Sequence, residues 1–473
     1  MTTRDPIARR LARNIRAVTA DGLTDKARTR VVIGIVDNIA VALAGAHEDC
    51  VRIVQEIPGI GAAPGPSTLF GHARRVSMLD AAMINGVAAH ALDYDDFSSM
   101  LGVHHSATLV APLLALAEAE HKSGAELVAA HAAGVETEIR LARSVAWSHY
   151  DKGWHPTSTM GTIGVAAACA HMLGLDEAGI ATALTIAASQ SAGIKANFGT
   201  MTKPLHVGIA ARAGLMSALL AERGFTADET AFEHRQGFFE VYNGAGNYDA
   251  AKLFENWGAP WELEGDGMVL KLWPCCGSTH AAIVAALELR DATGIAADDI
   301  ARIEVMPHRR RLRHTDTPHP RTSLEGKFSV QYVVARALAD GAVTLGDFAV
   351  DRVTEPRIAR LLDRLEAKGH PEMGDDADSQ WAAEVVVETV DGRRLARRID
   401  NVLAEGRLMP ENPAALADKF IDCAELALPP VQAARLFETL LTIDRADDVA
   451  DLGHLLLVSE TAENGPRAQA AAV

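Results

Sequence analysis

The chain is poor in cysteine and in aromatic residues. Only 5 of its 473 residues are cysteine, and Phe, Trp and Tyr together make up 5%. Because the cysteines are odd in number and form no CxxC pair, they argue against a disulfide framework and against a structural zinc or iron–sulfur site. With few aromatic rings, Ala, Leu and Val supply most of the apolar content, which favours helices packed closely through small side chains.

Positive charge is scarce relative to negative charge. Lys and Arg number 45 against 62 Asp and Glu, which gives a net charge of −17 at pH 7. Proteins that hold a nucleic-acid backbone do so with a broad cationic surface, so we expect no nucleic-acid partner. A small anion is still compatible with this composition, provided that a local cluster of Lys, Arg and His holds it in a cleft.

Long apolar runs are missing from the sequence. The most apolar stretches, residues 31–46 and 163–175, are interrupted by polar residues and fall short of the roughly 20 apolar residues that a membrane span needs. Ile7, Leu11 and Ile15 recur every fourth residue, which predicts an amphipathic first helix rather than a transit peptide. We therefore expect a cytoplasmic protein without membrane association.

The common nucleotide and hydrolase motifs are absent too. The sequence contains no Walker loop, no GxGxxG turn, no GxSxG elbow and no HExxH helix. Nucleotide, dinucleotide and serine-hydrolase chemistry are therefore disfavoured, and the scattered His and Cys residues predict no metal site. The chemistry that remains needs no cofactor and depends on His, Lys, Asp and Tyr.

The apolar pattern that is present divides the chain into regions. From residue 5 to about 260, apolar residues recur at spacings of three and four residues, which predicts helices almost throughout this region. After residue 267, ARIEVMPH alternates as a strand does, and EVVVETVDGRRLARRID is typical of two strands joined at Asp391-Gly392. Helices are predicted near 327–340 and 354–368.

These patterns predict the fold class and the domain boundaries. The fold class is mainly α, with a large all-helical domain built from both chain ends and a smaller inserted α+β lid domain. The predicted boundaries are 1–266 for the first part of the helical domain, 267–400 for the lid, 401–460 for the returning helical part and 461–473 for a disordered tail.

Residues 90–112 join two predicted helices through a loop rich in Asp and His. Asp93 follows the first helix, and His104, His105 and Ser106 stand at the start of the second. A carboxylate and an imidazole near a helix N-terminus can form an acid–base pair beside a dipole that favours anions. The alternative is that the carboxylate caps backbone groups while the histidines lie on the surface.

Two further polar segments of the helical region mark helix starts. His155 precedes Pro156, which fixes an extended conformation, so this imidazole points in a definite direction or is satisfied by a backbone carbonyl. Lys203, beside Thr202 at the start of another helix, lies in an apolar neighbourhood where a cation needs an anion. That anion is either a substrate carboxylate or a protein Asp or Glu.

The predicted lid carries a comparable set of side chains. Lys271 precedes a Pro-Cys-Cys-Gly turn that contains Cys276, His280 opens the next helix, and Tyr332 lies in a later one. A cleft between lid and helical domain would gather them, since small-molecule sites favour domain boundaries. Such groups suit proton abstraction next to a carboxylate, with cations stabilising the enediolate.

Taken in this order, the segments resemble the MmgE/PrpD family. The resemblance rests on HALDYDD, HPTSTMGTIG, TKPLHVGIAARAG, KLWPCCGSTH, KFSVQY and GRLMPENP, and extends from about residue 7 to 440. It implies a helical domain formed by both chain ends, a smaller α+β lid, a homodimer, and catalysis without cofactor or metal. The catalytic residues that it implies are Asp93, His104, His155, Lys203, Lys271 and Tyr332, with His280 nearby. We also expect His105, Ser106, Thr202, Cys276 and His280 to bind the substrate.

The resemblance also implies a reaction on a small anionic carboxylate. We expect a lyase that dehydrates a 2-methylcitrate-like acid through an enediolate, with Lys203 and Lys271 binding carboxylates. One of His104 and His155 would abstract the α-proton, and Asp93 would orient His104. The leaving hydroxyl would be protonated by the other imidazole or by a tyrosine.

Other outcomes of the same chemistry remain open at this point. An enediolate could also lose carbon dioxide, as in a decarboxylase of a cis-aconitate-like acid, or be reprotonated, as in an epimerase of an iminodisuccinate-like acid. A non-catalytic binding protein with the same fold is a further alternative. Phe97 stands where related sequences often have Thr, and His105 stands where they usually have Pro. These two departures leave the identity of the substrate less constrained than the type of chemistry. The tyrosine expected as an alternative proton donor is Tyr332.

Overall fold

The computed structural model describes residues 5–373, 378–403, 408–409 and 413–459. The chain forms two compact units, one of Met1–Leu270 with Glu411–Val473, called here the body, and one of Lys271–Pro410, called here the insert. Helices account for 59% of the chain and strands for 8%, so the predicted fold class, mainly α with a small α+β part, is confirmed. The predicted disordered tail, 461–473, lies outside the described residues.

The first part of the body is helical apart from a short two-stranded antiparallel sheet. The sheet consists of β1 (Pro64–Thr68) and β2 (Arg75–Val76). The helices are α1 (Ile7–Arg16), α2 (Asp25–Gly45), α3 (Asp49–Glu56), α4 (Met78–Ala91), α5 (His105–Glu120), α6 (Gly124–Asp151), α7 (Pro156–Met172), α8 (Glu177–Gln190), α9 (Thr202–Glu222) and α10 (Phe238–Asn243).

Local signals in the sequence account for several helix starts. The side chain of Thr24 accepts a hydrogen bond from the backbone N–H of Ala27 at the start of α2. Ser123 and Glu126 form a reciprocal capping box at the start of α6. Pro156 occupies the first position of α7, where its missing N–H would have had no helical partner.

Close packing of α4 against α9 brings their ends together. A Cβ atom added to Gly208 on α9 would lie 2.5 Å from the backbone oxygen of Met83 on α4, and one added to Gly86 would lie 3.2 Å from Cα of Gly208. Only glycine therefore allows this approach. The consequence is that Lys203, the second residue of α9, lies near the loop that follows α4.

Helix α9 is long and apolar enough to meet a length-and-composition test for a membrane span, and 61% of the apolar window is buried inside the protein. A core helix meets the same test, and α9 packs against α4, α7 and α8. The absence of membrane association stays a prediction.

The insert is built on a four-stranded sheet of order β4-β3-β5-β6. The strands are β3 (Ile300–Pro307), β4 (Leu365–Ala367), β5 (Ala383–Thr389) and β6 (Arg394–Ile399); β3 and β4 are parallel and the other pairs antiparallel. The helices are α11 (His280–Thr293), α12 (Arg309–Leu312), α13 (Ser323–Lys327), α14 (Val330–Asp340), α15 (Val350–Val353) and α16 (Pro356–Leu362).

Two predictions for the insert are confirmed and one is wrong. The strand over ARIEVMPH and the hairpin at Asp391-Gly392 are both present, and Gly392 takes the positive φ of 87° that the turn requires. The helix predicted for 354–368 instead ends at Leu362, because the residues after it pair with β3 as the edge strand β4.

The chain then returns to the body with short helices. These are α17 (Ala417–Ala424), α18 (Pro430–Leu440) and α19 (Gly453–Leu456). Helix α17 packs against α2, and α18 packs against α17 and α2. The C-terminal segment therefore contributes to the same core as the first helices.

Candidate active site

The loop between α4 and α5 carries the Asp motif. Asp93 has a φ of 52°, a left-handed conformation that Asp tolerates better than most residues because its short side chain bonds locally. Farther along, Phe97 forms an antiparallel bridge with Val269, with N···O distances of 2.8 and 2.7 Å. Backbone geometry therefore constrains both ends of the segment that presents the carboxylates.

The carboxylate of Asp95 lies between two imidazoles. Its Oδ2 is 2.8 Å from Nδ1 of His90 and 2.9 Å from Nδ1 of His104. Because an ionised carboxylate only accepts hydrogen bonds, both imidazoles carry a proton on Nδ1. Burial alone would raise the pKa of Asp95, but the two imidazoles hold that pKa well below its usual value.

The two imidazoles differ in accessibility. The side chain of His104 is 10% exposed and that of His90 is fully buried, although their rings are only 4.6 Å apart. Nε2 of His90 and Oδ1 of Asp95 are buried and have no hydrogen-bond partner among the described residues. The cluster therefore has unused hydrogen-bonding capacity on its buried side and an accessible ring on the other.

Lys203 meets a protein carboxylate. Its Nζ lies 2.6 Å from Oδ1 of Asp93, and the two side chains are 7% and 3% exposed. The Phe198 ring lies 5.4 Å from the same Nζ. Of the two partners that the sequence left open, the protein Asp is therefore present. Thr202 precedes Lys203 at the start of α9, is partly exposed, and donates its N–H to Oγ1 of Thr200 at 3.3 Å.

His155 lies at the start of α7 beside the same cluster. Its ring centroid is 6.1 Å from that of His90, and its Nδ1 is 3.1 Å from Nδ1 of His206. Burial, reinforced by the positive charge of Lys203, holds the pKa of His155 well below its usual value. This imidazole is therefore neutral at pH 7. In the His155–His206 contact, one of the two Nδ1 atoms donates the hydrogen bond and the other accepts it.

His105 and Ser106 lie behind the cluster. Ser106 donates its hydroxyl to Oδ2 of Asp96 at 2.5 Å, and Nε2 of His105 donates to the carbonyl of Gly267 at 3.1 Å. Both residues are fully buried. Burial lowers the pKa of His105 to about 3, so its ring is neutral. Their role as substrate ligands stays a prediction.

Lys271, Cys276 and His280, three of the predicted site residues, belong to the insert. Lys271 is 1% exposed. Cys276 is partly exposed and donates its N–H to the carbonyl of Lys327 at 3.0 Å. His280 opens α11, is fully buried, and stacks edge-on against Trp273 with ring centroids 5.1 Å apart. Their contacts with substrate stay predictions.

Tyr332 is placed differently from its predicted role. It is fully buried, its hydroxyl donates to the backbone carbonyl of Asp347, and the same oxygen accepts from Nε of Arg336 at 3.0 Å. Burial raises its pKa to about 12. In this structure the proton of Tyr332 lies on a carbonyl inside the insert, and the expectation that Tyr332 protonates a leaving hydroxyl stays a prediction.

The orienting carboxylate also differs from the prediction. The carboxylate at 2.9 Å from Nδ1 of His104 belongs to Asp95, whereas Asp93 lies against Lys203. The left-handed turn at Asp93 directs the two carboxylates of the motif to different cations. Sequence reasoning also did not single out His90 or His206 as site residues, although His90 is the first residue of HALDYDD and His206 lies within TKPLHVGIAARAG.

The same side chains form the donor set best suited to a metal ion in the described part of the chain. Ligand atoms of His90, Asp93, Asp95 and His104 all lie within 4.8 Å of one another, and imidazole with carboxylate suits a transition metal. Their charges are, however, already matched: the ammonium of Lys203 lies on Asp93, and Asp95 accepts from both rings. The arrangement can therefore also act as a network of exchangeable protons.

Comparisons with known protein families match both units of the chain. The MmgE/PrpD N-terminal domain matches residues 9–251, and the MmgE/PrpD C-terminal domain matches residues 273–444. Together the two matches extend over most of the chain.

Individual relatives cover nearly the same span. Cis-aconitate decarboxylase of Homo sapiens is 29% identical over 97% of this chain and 97% of its own length. Cis-aconitate decarboxylase of Mus musculus is 29% identical over 92% of this chain and 90% of its own. Cis-aconitate decarboxylase of Aspergillus terreus is 25% identical over 89% of this chain and 90% of its own.

Proposed function

The chain belongs to the MmgE/PrpD family, and from that premise we propose that it decarboxylates a cis-aconitate-like tricarboxylate. It is an enzyme of this family, so the alternative of a non-catalytic binding protein is set aside. Decarboxylation comes ahead of dehydration because relatives that cover nearly the whole chain carry the name cis-aconitate decarboxylase. Dehydration of a 2-methylcitrate-like acid and epimerisation stay predictions.

The proposed reaction needs one proton and a place for negative charge. The bond between the methylene carbon and its carboxylate breaks, carbon dioxide leaves, and the electron pair of that bond forms a new terminal alkene. The original alkene pair then takes up a proton at its far carbon. The product is an isomeric unsaturated dicarboxylate, and the enzyme must supply one proton for each carbon dioxide released.

His104 is the proposed proton donor. The observation that carries the proposal is the carboxylate of Asp95 shared by two imidazoles, next to the Lys203–Asp93 ion pair. A carboxylate on Nδ1 stabilises the imidazolium and leaves Nε2 to deliver the proton. His104 is also more accessible than His90.

Lys203 is the proposed partner of a substrate carboxylate. Asp93 fixes the direction of its ammonium, and a cation in a buried site stabilises the charge that develops as the carbon–carbon bond breaks. His155, neutral because its pKa is lowered by burial, would hydrogen-bond the substrate without adding charge. A second carboxylate contact by Lys271 stays a prediction.

The reaction can be identified with a panel of acids. The purified protein would be incubated in deuterium oxide with cis-aconitate, 2-methylcitrate or iminodisuccinate, and followed by NMR and by carbon dioxide release. Decarboxylation predicts gas release and one deuterium on a methylene carbon of the product. A new alkene without gas would instead indicate dehydration, and exchange without either would indicate epimerisation; both results would overturn the proposal.

The role of His104 has a matched control in the same unit. His104→Asn should lower kcat by about 100- to 10,000-fold, the usual contribution of a general acid. His171 lies near the C-terminal end of α7, and its imidazole is bonded to the backbone carbonyl of Val18. His171→Asn should leave kcat unchanged. Equal effects of the two changes would contradict the assignment.

The assembly and location of the protein also stay predictions. We expect a homodimer in the cytoplasm without a nucleic-acid or membrane partner. Size-exclusion chromatography with light scattering gives the mass in solution directly, and a mass of about one chain would contradict the dimer.

A further inference from the structure

Lys419, on the C-terminal helix α17, reaches the loop that carries the Asp motif. Its Nζ lies 2.6 Å from Oδ1 of Asp37 on α2 and donates to the backbone carbonyl of Tyr94 at 2.9 Å. The same Nζ lies 3.9 Å from the centre of the Tyr94 ring. One cation therefore contacts both the backbone and the side chain of a single loop residue.

Tyr94 stands between the two carboxylates of the proposed site. Asp93, directly before it, adopts the left-handed φ of 52° and pairs with Lys203. Asp95, directly after it, pairs with His90 and His104. A rotation of either peptide group of Tyr94 would move one carboxylate relative to the other, so the bond to its carbonyl constrains both at once.

The cation of Lys419 and its counter-charge are both largely buried. The side chain of Lys419 is 11% exposed and that of Asp37 is fully buried. A buried ion pair is weak evidence for stability, because desolvation offsets much of the attraction. Asp37 supplies a counter-charge for the ammonium of Lys419, and the same ammonium contacts the loop through Tyr94.

We infer that Lys419 is a positioning residue that sets the distance between Asp93 and Asp95 through Tyr94. The inference rests on the proposed function for its catalytic consequence, but the positioning itself does not require a known substrate. The C-terminal segment then serves catalysis although its residue touches no reacting atom. The expected cost of misplacing the carboxylates is about 10- to 100-fold in kcat.

The test compares Lys419→Met with Arg140→Met. Arg140 is the matched control because it is also a buried cation of the body, 6% exposed, paired with Glu136 on its own helix and bonded to backbone carbonyls, including that of Asn256 at 2.8 Å. Both changes remove the cation that pairs with a buried carboxylate. We expect similar losses of stability, but loss of kcat only in Lys419→Met, with KM little changed.

Hydrogen–deuterium exchange separates positioning from general destabilisation. Exchange in peptides that cover residues 92–104 should quicken in Lys419→Met and remain as in the wild type in Arg140→Met. Lys419→Arg, which can still reach a carbonyl and a carboxylate, should recover most of the lost kcat. Wild-type exchange in this segment of Lys419→Met, or an equal loss of kcat in Arg140→Met, would overturn the inference.

Two further arms keep the result interpretable. If Lys419→Met does not fold, the double change Asp37→Asn with Lys419→Met removes the uncompensated carboxylate and should show the same loss of kcat; normal kcat in the double variant would overturn the inference. If the wild type releases no carbon dioxide from any acid of the panel, the proposed reaction fails, and the exchange comparison still decides the positioning role.

Discussion

The body and the insert each contain a buried polar cluster, and the two clusters hold different kinds of charge. In the body, one carboxylate pairs with a lysine and a second carboxylate pairs with two imidazoles, over distances of 2.6 to 2.9 Å. In the insert, Arg336 is fully buried and lies 3.0 Å from Asp340 and 2.8 Å from Glu355. Both clusters are buried and dense in polar groups, so burial and polar density alone do not distinguish them.

The distinction lies in which protons can move near neutral pH. A guanidinium stays charged under all ordinary conditions, and burial raises the pKa of Tyr332 beside Arg336 to about 12. The insert cluster therefore keeps one charge state. The body cluster instead contains imidazoles, whose ring nitrogens can give or take a proton, and one of these rings, that of His104, is 10% exposed. An exchangeable proton that a ligand can reach identifies the chemical site more reliably than burial does.

The largest expected effect is that of Asp95→Asn. The amide has the shape of the carboxylate but cannot accept from both imidazoles as an anion, so it no longer stabilises the imidazolium. We expect kcat to fall by about 100- to 10,000-fold while the fold is retained, as measured by steady-state kinetics and circular dichroism. A fall of less than tenfold would mean that the body cluster, like the insert cluster, is structural.

Arg336→Met should have the converse effect. It removes a fully buried guanidinium, although Arg352 and Arg357 still pair with the acidic side chains. Each hydrogen bond lost from a charged group costs about 1.5–3 kcal/mol of unfolding free energy. Since Tyr332 takes no part in the proposed reaction, kcat per folded molecule should stay near that of the wild type. Denaturant unfolding together with kinetics on the folded fraction checks both parts, and a selective loss of kcat would place the insert cluster in catalysis.

Much of the fold could be predicted because the patterns that specify it are local. Three- and four-residue apolar spacing predicted the helices of the body, and Asp391-Gly392 predicted the hairpin between β5 and β6, since the turn needs a positive φ. Strand β4 escaped prediction because it has three residues and no alternation of its own. Only its pairing with β3 makes it a strand.

The site was predictable by residue type but not by pairing. HALDYDD contains three carboxylates within four residues, so the motif alone does not show which one contacts which partner. In the structure Asp93 has a left-handed φ, and Asp93 and Asp95 contact different side chains. Lys419 is 325 residues away from Tyr94, so no local spacing could indicate it. Tyr332 and Arg336, four residues apart on one helix, did carry a signal: this spacing favours a pair within the helix.

His131→Leu tests whether a buried imidazole outside the shared carboxylate matters only for stability. His131 on α6 is fully buried, and neither ring nitrogen has a hydrogen-bond partner among the described residues. Burial lowers its pKa to about 3, so the unfolded chain binds a proton at this residue below about pH 6.5 while the folded chain does not. Its contribution to stability is therefore complete above pH 6.5 and is lost as the pH falls towards 3.

The variant removes that titration. Relative to the wild type, His131→Leu should gain about 2 kcal/mol of unfolding free energy between pH 8 and pH 5, with kcat unchanged at pH 8. Urea unfolding at the two pH values measures the difference. A stability difference that does not depend on pH would show that this imidazole is not held neutral in the folded state.

The smallest effect on kcat should come from an exposed His–Asp pair that has the same distance as the buried pair of His90 and Asp95. Nδ1 of His121 lies 2.8 Å from Oδ2 of Asp448, the same distance as between His90 and Asp95, but the His121 side chain is 74% exposed. Water and salt screen such a pair. His121 also has a φ of 51°, which Asn accepts readily, so His121→Asn should leave kcat unchanged while His90→Asn lowers it. If His121→Asn and His90→Asn lowered kcat equally, the effect on kcat would depend on the His–Asp distance and not on burial beside the accessible His104. That result would contradict the distinction drawn between the body cluster and the insert cluster.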